Sequence, residues 1–136
     1  DYNILASYGY IDAKVTKDNR LPVGDRLTGI PRHSIGIFNK VSLTKLGFNG
    51  WSGILGVVYN SARESGLPND TATFSSSDLR ISSYTQIDAG LIYETPKYTF
   101  RLTGTNLTDE EIYDSTGGAF LTRPPRGALA SLSMRF

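Results

Sequence analysis

His33 is the one histidine of the chain, and no cysteine accompanies it. A lone imidazole, with no thiolate and no carboxylate pair at ligand spacing, offers neither a metal cage nor a catalytic base. It follows "GIPR" at the start of an alternating stretch, where a structural or rim role is expected. Carboxylates gather in "TDEEIYD", which holds Asp109, Glu110, Glu111 and Asp114. That run lacks the glycine-containing ligand spacing of an EF-hand loop, so it reads as a solvated loop. Serine is common, yet no G-x-S-x-G elbow occurs. "TGG" at Thr116 to Gly118 does not extend to a phosphate loop with its lysine. Asn69-Asp70-Thr71 and Asn106-Leu107-Thr108 match the short acceptor pattern for N-glycosylation, which carries little weight by itself. None of these groupings supports catalysis. The chain is expected not to be an enzyme, and to hold no metal or cofactor of its own.

Composition narrows the remaining classes. At 136 residues the chain amounts to at most one ordinary domain. Its 14 basic and 13 acidic side chains nearly cancel, so no nucleic-acid partner is implied. The lack of cysteine excludes disulfides and thiolate metal sites. No apolar run approaches the roughly 18 residues of a membrane helix. Tyrosine is plentiful, with 8 copies, and favours strands and polar–apolar boundaries. The sequence starts at Asp1 directly in a strand-like pattern, without initiator methionine or signal peptide, and so reads as a piece of something longer.

The elements that must position any polar group are strands. Six stretches alternate with period two, and helical periodicity is not evident. In the first, Tyr2, Ile4, Ala6, Tyr8 and Tyr10 oppose Asn3, Leu5, Ser7, Gly9 and Ile11. The second, His33 to Leu43, sets Ile35, Ile37, Val41 and Leu43 against Ser34, Gly36, Lys40 and Ser42, with Phe38 and Asn39 as exceptions. The third, Trp51 to about Ala62, sets Trp51, Leu55, Val57 and Tyr59 against Ser52, Gly56 and Asn60, with Ile54 and Val58 blurring the polar side. In the fourth, Ile87, Ala89, Leu91 and Tyr93 alternate with Gln86, Asp88, Gly90 and Glu94, broken by Ile92. In the fifth, Tyr98, Phe100 and Leu102 alternate with Thr99, Arg101, Thr103 and Thr105. The sixth is the closing "GALASLSMRF", with Ala128, Ala130, Leu132, Met134 and Phe136 on one side.

The connections alternate long, short, long, short, long. Short links are "TKLGFNG", whose Asn49-Gly50 suits a tight turn, and "TPK". Every long loop therefore lies at one end of an up-and-down antiparallel all-β sheet. In a soluble β-sandwich, loop lengths need not segregate by end. Outer-membrane barrels do segregate them, with short periplasmic turns, long outer loops, lipid-facing apolar residues and lumen-facing polar ones. Their strands need about 9–11 residues to cross the hydrocarbon, about the length of these stretches. Tyr2, Tyr10, Trp51, Tyr59, Tyr93, Tyr98 and Phe136 fall near strand ends, where interfacial girdles form. The pattern favours the barrel. Lys40, Asp88, Glu94, Arg101 and Arg135 would line its interior, or form the wet face of a sheet in a sandwich.

Six segments carry a family resemblance. "ASYGYIDAKVTKDN", "GDRLTGIPRHSIGIF", "GVVYNSARES", "YTQIDAGLIYE", "TGTNLTDEEIYD" and "SLSMRF" occur in the order seen at the C-terminal end of TonB-dependent outer-membrane receptors. The resemblance spans Tyr2 to Phe136 and is strongest to the ferric-siderophore group of ferrichrome or other hydroxamate type. It implies the last six strands of a 22-stranded barrel plugged by an N-terminal domain that this stretch lacks, in the bacterial outer membrane. The whole receptor would bind a ferric siderophore, with iron carried only inside that ligand, and import it with energy from the TonB–ExbB–ExbD complex. A passive channel with a similar end is the competing membrane reading. Tyr113 and Phe120 occupy the segment where the family places ligand-holding aromatics near the last loop. Phe136, with Met134, resembles the terminal signal read by the barrel-assembly machinery, and the outward face would meet outer-membrane lipid. Ser131 departs from the small glycine that many such endings carry.

Overall fold

The computed structural model describes residues 1–19, 21–66, 80–116 and 119–136. Asn69-Asp70-Thr71 and the two glycines of "TGG" lie outside the described residues. The described strands are, in order, β1 (Tyr2–Tyr10), β2 (His33–Ser42), β3 (Trp51–Asn60), β4 (Arg63–Glu64), β5 (Arg80–Ile81), β6 (Tyr84–Glu94), β7 (Tyr98–Thr105), β8 (Tyr113–Thr116), β9 (Ala119–Thr122) and β10 (Gly127–Met134). The six alternating stretches are the six strands of one antiparallel sheet, in the order β1-β2-β3-β6-β7-β10. The other four strands pair as two small hairpins, β4–β5 and β8–β9, raised from the long loops. Strands of two to four residues are too short to show a period, which is why the sequence pattern does not reveal them.

Register fixes the faces. Directly paired residues share a face of the sheet. The row Tyr2, Val41, Gly53, Leu91, Leu102 and Ala130 crosses all six strands on one side. Every apolar set read from the alternation joins that side, so the six patterns agree with a single register. Asn39 and Phe38 are explained by the same count. Asn39 pairs with Ile4 and Leu55 on the apolar face, whereas Phe38 pairs with Gly56 on the polar one. The phenyl ring of Phe38 lies over Gly56, so an added Cβ there would sit 3.0 Å from it. Lys40, Asp88, Glu94 and Arg101 all occupy the polar face by register. A concavity of about 440 Å³ opens on that face, lined in part by Leu5, Phe38, Ile54, Asp88 and Thr103.

The core does not lie against the sheet. Among the described residues, the buried apolar side chains are Val15, Ile81, Tyr84, Ile92 and Ile112, and all but Ile92 sit at the long-loop end. Along the apolar face, Tyr2 (64%), Ile4 (54%) and Leu132 (62%) stay exposed. A soluble sandwich covers one face of each sheet with a second layer. No second layer packs on this sheet among the described residues. β1 and β10 are its two outer strands, and the six strands form an open sheet.

At the short-turn end, Asn49-Gly50 forms the centre of a tight turn, set within a longer β2–β3 connection. The β2–β3 connection contains a 3₁₀ turn, Thr44–Leu46, followed by a β-turn closed by the Trp51 amide on the Phe48 carbonyl at 3.2 Å. Gly50 sits at φ +78° in the third position, which a type II turn requires. Its carbonyl also accepts the Glu94 amide at 2.8 Å, and a Cβ would fall 2.8 Å from the Glu94 carbonyl. The closing strand is shorter than its alternation suggests. β10 ends at Met134 opposite Tyr98, and the Arg135 amide adds one bond to the Lys97 carbonyl at 2.9 Å. β7 begins at Tyr98, so no strand residue remains to pair with Phe136, which lies beyond the ladder and fully exposed.

Candidate functional site

The loop end of the sheet is where polar groups converge. On the top row of the polar face, Ser34 Oγ donates to Asn60 Oδ1 at 2.7 Å, and Asn60 Nδ2 donates to the Tyr84 hydroxyl at 2.7 Å. Above the buried Tyr84 ring stand two guanidinium groups, Arg63 at 5.6 Å and Arg123 at 5.2 Å from its centroid. Asp114 on β8 bridges them. Its Oδ1 accepts Arg63 Nη2 and its Oδ2 accepts Arg123 Nε, each at 2.7 Å. Arg63, only 5% exposed, also donates to the Tyr113 carbonyl, and Ser115 Oγ donates to the Ser65 carbonyl. The loop following β3 and the loop following β7 are thus tied by side chains some 50 residues apart in sequence. The Gly29 amide, donating to the Glu64 carbonyl at 2.9 Å, brings in the loop between β1 and β2.

Charge follows geometry. The Arg123 hydrogen bond, aided by Arg63, holds the Asp114 carboxyl below its ordinary value, and Asp114 in turn raises Arg123. The ion pair therefore persists across neutral pH.

"TDEEIYD" is organised as a loop clamp. Asn106 takes φ +49° and is 3% exposed. Its side chain both donates to the Glu110 carbonyl (2.9 Å) and accepts the Glu110 amide (3.0 Å), while its own amide reaches Asp88 at 2.8 Å. Asn106 thus ties the end of β7 to Glu110 through its side chain and to Asp88 through its backbone amide. Asp109 Oδ1 accepts the Arg126 amide at 2.9 Å, and Glu111 accepts the Tyr113 hydroxyl at 3.0 Å, which raises the Tyr113 phenol. The carboxylates of Asp109, Glu111 and Asp114 thus serve separate partners, and no cluster of metal-binding side chains forms among the described residues.

Of the expected ligand aromatics, Tyr113 is 39% and Phe120 52% exposed. Tyr113 pairs with Thr122 and Phe120 with Ser115, so the two rings lie diagonally on one face of the β8–β9 hairpin. Diagonal neighbours are within reach of aromatic side chains. Tyr113 also lines a cavity of about 310 Å³ with Glu111, Thr122, Arg123 and Pro125. His33 belongs to none of this. Its Nδ1 lies 2.9 Å from the Tyr8 hydroxyl, and its ring packs against Tyr8 and Tyr10 at the rim of the apolar face. Arg135, at 3.9 Å from Glu94, lies at the opposite end of the sheet. The Arg63–Tyr84–Arg123 stack had no sequence signal, because nothing local links Arg63 to a carboxylate 51 residues away.

Comparison with known proteins bears on the sheet and on its loops. A family model described as "TonB dependent receptor-like, beta-barrel" matches residues 1–107. The metal-pseudopaline receptor CntO of Pseudomonas aeruginosa, in strains UCBPP-PA14 and PAO1, is 26% identical over 136 residues. That match covers 98% of this chain and 18% of CntO, so the chain spans under a fifth of the curated relative's length. Among solved structures, the closed form of the ferric-catecholate import receptor Fiu from E. coli K12 superposes with TM-score 0.79 at 20% identity, over 99% of this chain and 19% of Fiu. The siderophore receptor PiuA from Acinetobacter baumannii superposes with TM-score 0.78 at 17% identity, over 96% of this chain and 19% of PiuA. At such identities the two structures establish a shared fold. The six-stranded meander with its loops at one end, matched by the family model over most of its length, belongs to the TonB-dependent receptor β-barrel family.

Proposed function

We propose that this chain is the closing section of an outer-membrane receptor that binds a ferric siderophore and imports it with TonB-derived energy. The observation that carries the reading is the family match on a sheet whose apolar face is bare and whose long loops gather at one end. In this reading the apolar face meets lipid, the polar face lines a 22-stranded barrel plugged by an N-terminal domain, and the loops face outward. The receptor has no cofactor of its own, and iron passes through as cargo within the chelate. Tyr113 and Phe120 contact the ligand from the β8–β9 hairpin. Met134 and Phe136 form the signal for the barrel-assembly machinery. The names of the similar receptors span catecholate and pseudopaline ligands as well as siderophores at large. The chelator is accordingly drawn from the siderophore class as a whole, with the hydroxamate type one member.

The test is uptake of radiolabelled iron by cells carrying the full receptor, supplied in turn as a hydroxamate chelate, a catecholate chelate and ferric citrate. Saturable uptake of one chelate that vanishes without TonB is expected. Uptake indifferent to TonB would instead indicate a passive channel. Replacing Tyr113 and Phe120 by Ala should raise the concentration for half-maximal uptake about fivefold or more, as loss of an aromatic anchor does. Unchanged uptake would remove both residues from the ligand site.

A further inference from the structure

β4 meets the loop between β1 and β2 around a small cavity. That loop begins as an extension of the strand ladder, in which the Ile11 amide donates to the Arg32 carbonyl (3.0 Å) and the Leu27 amide to the Ala13 carbonyl (3.1 Å). The Gly29 amide then ties it to the Glu64 carbonyl of β4 at 2.9 Å. Between the two segments lies a space of about 10 Å³, roughly the room of one water-sized body. Ile11, Leu27 and Ile30 give it apolar walls, and Arg26, Arg32 and Arg63 converge on it.

Three guanidinium groups around so small a space repel one another unless an anion stands among them. The carboxylates nearby are already divided. Asp12 is shared among Lys14 at 3.0 Å, Arg26 at 3.2 Å and Arg32 at 3.9 Å, and Asp114 between Arg63 and Arg123. Glu64, which also lines the cavity, has its carboxylate 3.4 Å from Arg80. Donors are left over as well. Arg63 spends Nη2 on the Tyr113 carbonyl and on Asp114, and its Nη1 is buried with no hydrogen-bond partner among the described residues. Arg32 Nε is buried and unpartnered in the same way, with Asp12 standing off at 3.9 Å. A buried donor on a charged group is costly without an acceptor, and Arg63, only 5% exposed, has no outlet to solvent.

We propose that this cavity is a halide site, in which one chloride ion accepts from Arg63 Nη1 and Arg32 Nε while Arg26 balances its charge. The volume selects a monatomic anion over phosphate or sulfate, and the cationic lining selects an anion over a neutral water. The ion fastens the β1–β2 loop to β4, reinforcing the Gly29–Glu64 tie. Neither the imported ligand nor the membrane enters this site.

The test uses the full receptor in detergent and has two arms. Crystals grown in sodium bromide should show an anomalous scattering peak within hydrogen-bond distance of Arg63 Nη1. In solution, hydrogen exchange of the Gly29 amide should slow as chloride replaces gluconate at constant ionic strength, about fivefold at about four times the dissociation constant. Arg26→Gln should raise the half-saturating chloride concentration about fivefold, roughly one part-exposed charge partner, and Arg63→Gln should abolish the dependence. If Arg63→Gln misfolds the loops, Arg26→Gln decides by itself, because Asp12 keeps Lys14 as its partner. A water without anomalous signal at this position would overturn the proposal. So would a bromide peak with exchange indifferent to chloride (an adventitious ion only), equal protection by sulfate, or a chloride dependence unchanged by Arg26→Gln.

Discussion

Asp114 shows how a single carboxylate joins two loops at little apparent cost in sequence. It is part-exposed, yet its partner Arg63 is 4% exposed along its side chain, so the pair's worth lies in what its loss would strand. A buried guanidinium without its carboxylate is a severe defect. Asp114→Asn is expected to raise the rate of proteolytic cleavage within residues 106–126 of the full receptor by about tenfold, the loss of one charge-assisted hydrogen bond. Unchanged cleavage would show that the loops are held by backbone contacts alone. The pH dependence has a definite sign. The folded-state carboxyl lies below its ordinary value, so its contribution is complete above the unfolded pKa of about 3.9 and fades as pH falls through the lowered value. Cleavage should therefore be flat across neutral pH and rise only in strong acid, while Asp114→Asn should flatten that rise. Asn106 makes a related point. A sequence reader sees a glycosylation triplet, but the αL backbone and the two bonds to Glu110 make it a loop clamp.

Among the elements, the six long strands were legible because each keeps a period of two over eight or more residues. Even the exceptions were informative, since Phe38, Ile54, Val58 and Ile92 all fall on the polar face. Phe38 and Ile54 are accommodated there by glycines on the neighbouring strand, Gly56 beneath Phe38 and Gly90 beside Ile54. The hairpins β4–β5 and β8–β9 were illegible, as were the Arg63 and Arg123 contacts, because both depend on loops meeting in space. Tyr113 and Phe120 could be located by segment, but their shared hairpin face follows only from the β8–β9 register. Gly90 offers a test of the strand layer. A Cβ there would lie 2.6 Å from the Leu102 carbonyl and 3.1 Å from Ile54. Gly90→Val should sharply reduce the heat-modifiable folded form of the receptor in outer-membrane fractions. Deleting Phe136 should lower the same yield through slower assembly, while leaving the melting of whatever folds unchanged. Normal yields in both would contradict the register and the terminal signal respectively.

At the scale of the whole molecule, the sheet carries its apolar side chains on the outside and its buried core among the loops. That arrangement is unstable in water unless lipid covers the face and further strands pair the edges of β1 and β10. The Trp51–Tyr93 pair, 5.0 Å between ring centroids, sits at one end of the apolar face, and the Tyr8–Tyr10–His33 group at the other. The strands between them run 8 to 11 residues, a span suited to the hydrocarbon of a bilayer. The central claim is therefore one of orientation, with long loops outside the cell, the short turns inside, and the apolar face in lipid. This stretch has no cysteine, so once any cysteine elsewhere in the full receptor is replaced, single cysteines at Lys17, Leu55 and Leu46 can be probed in intact cells with a membrane-impermeant maleimide. The account predicts labelling at position 17 in intact cells, at position 46 only after the outer membrane is permeabilised, and at position 55 in neither case. Labelling of position 46 in intact cells, or of position 55 in the folded receptor, would contradict it.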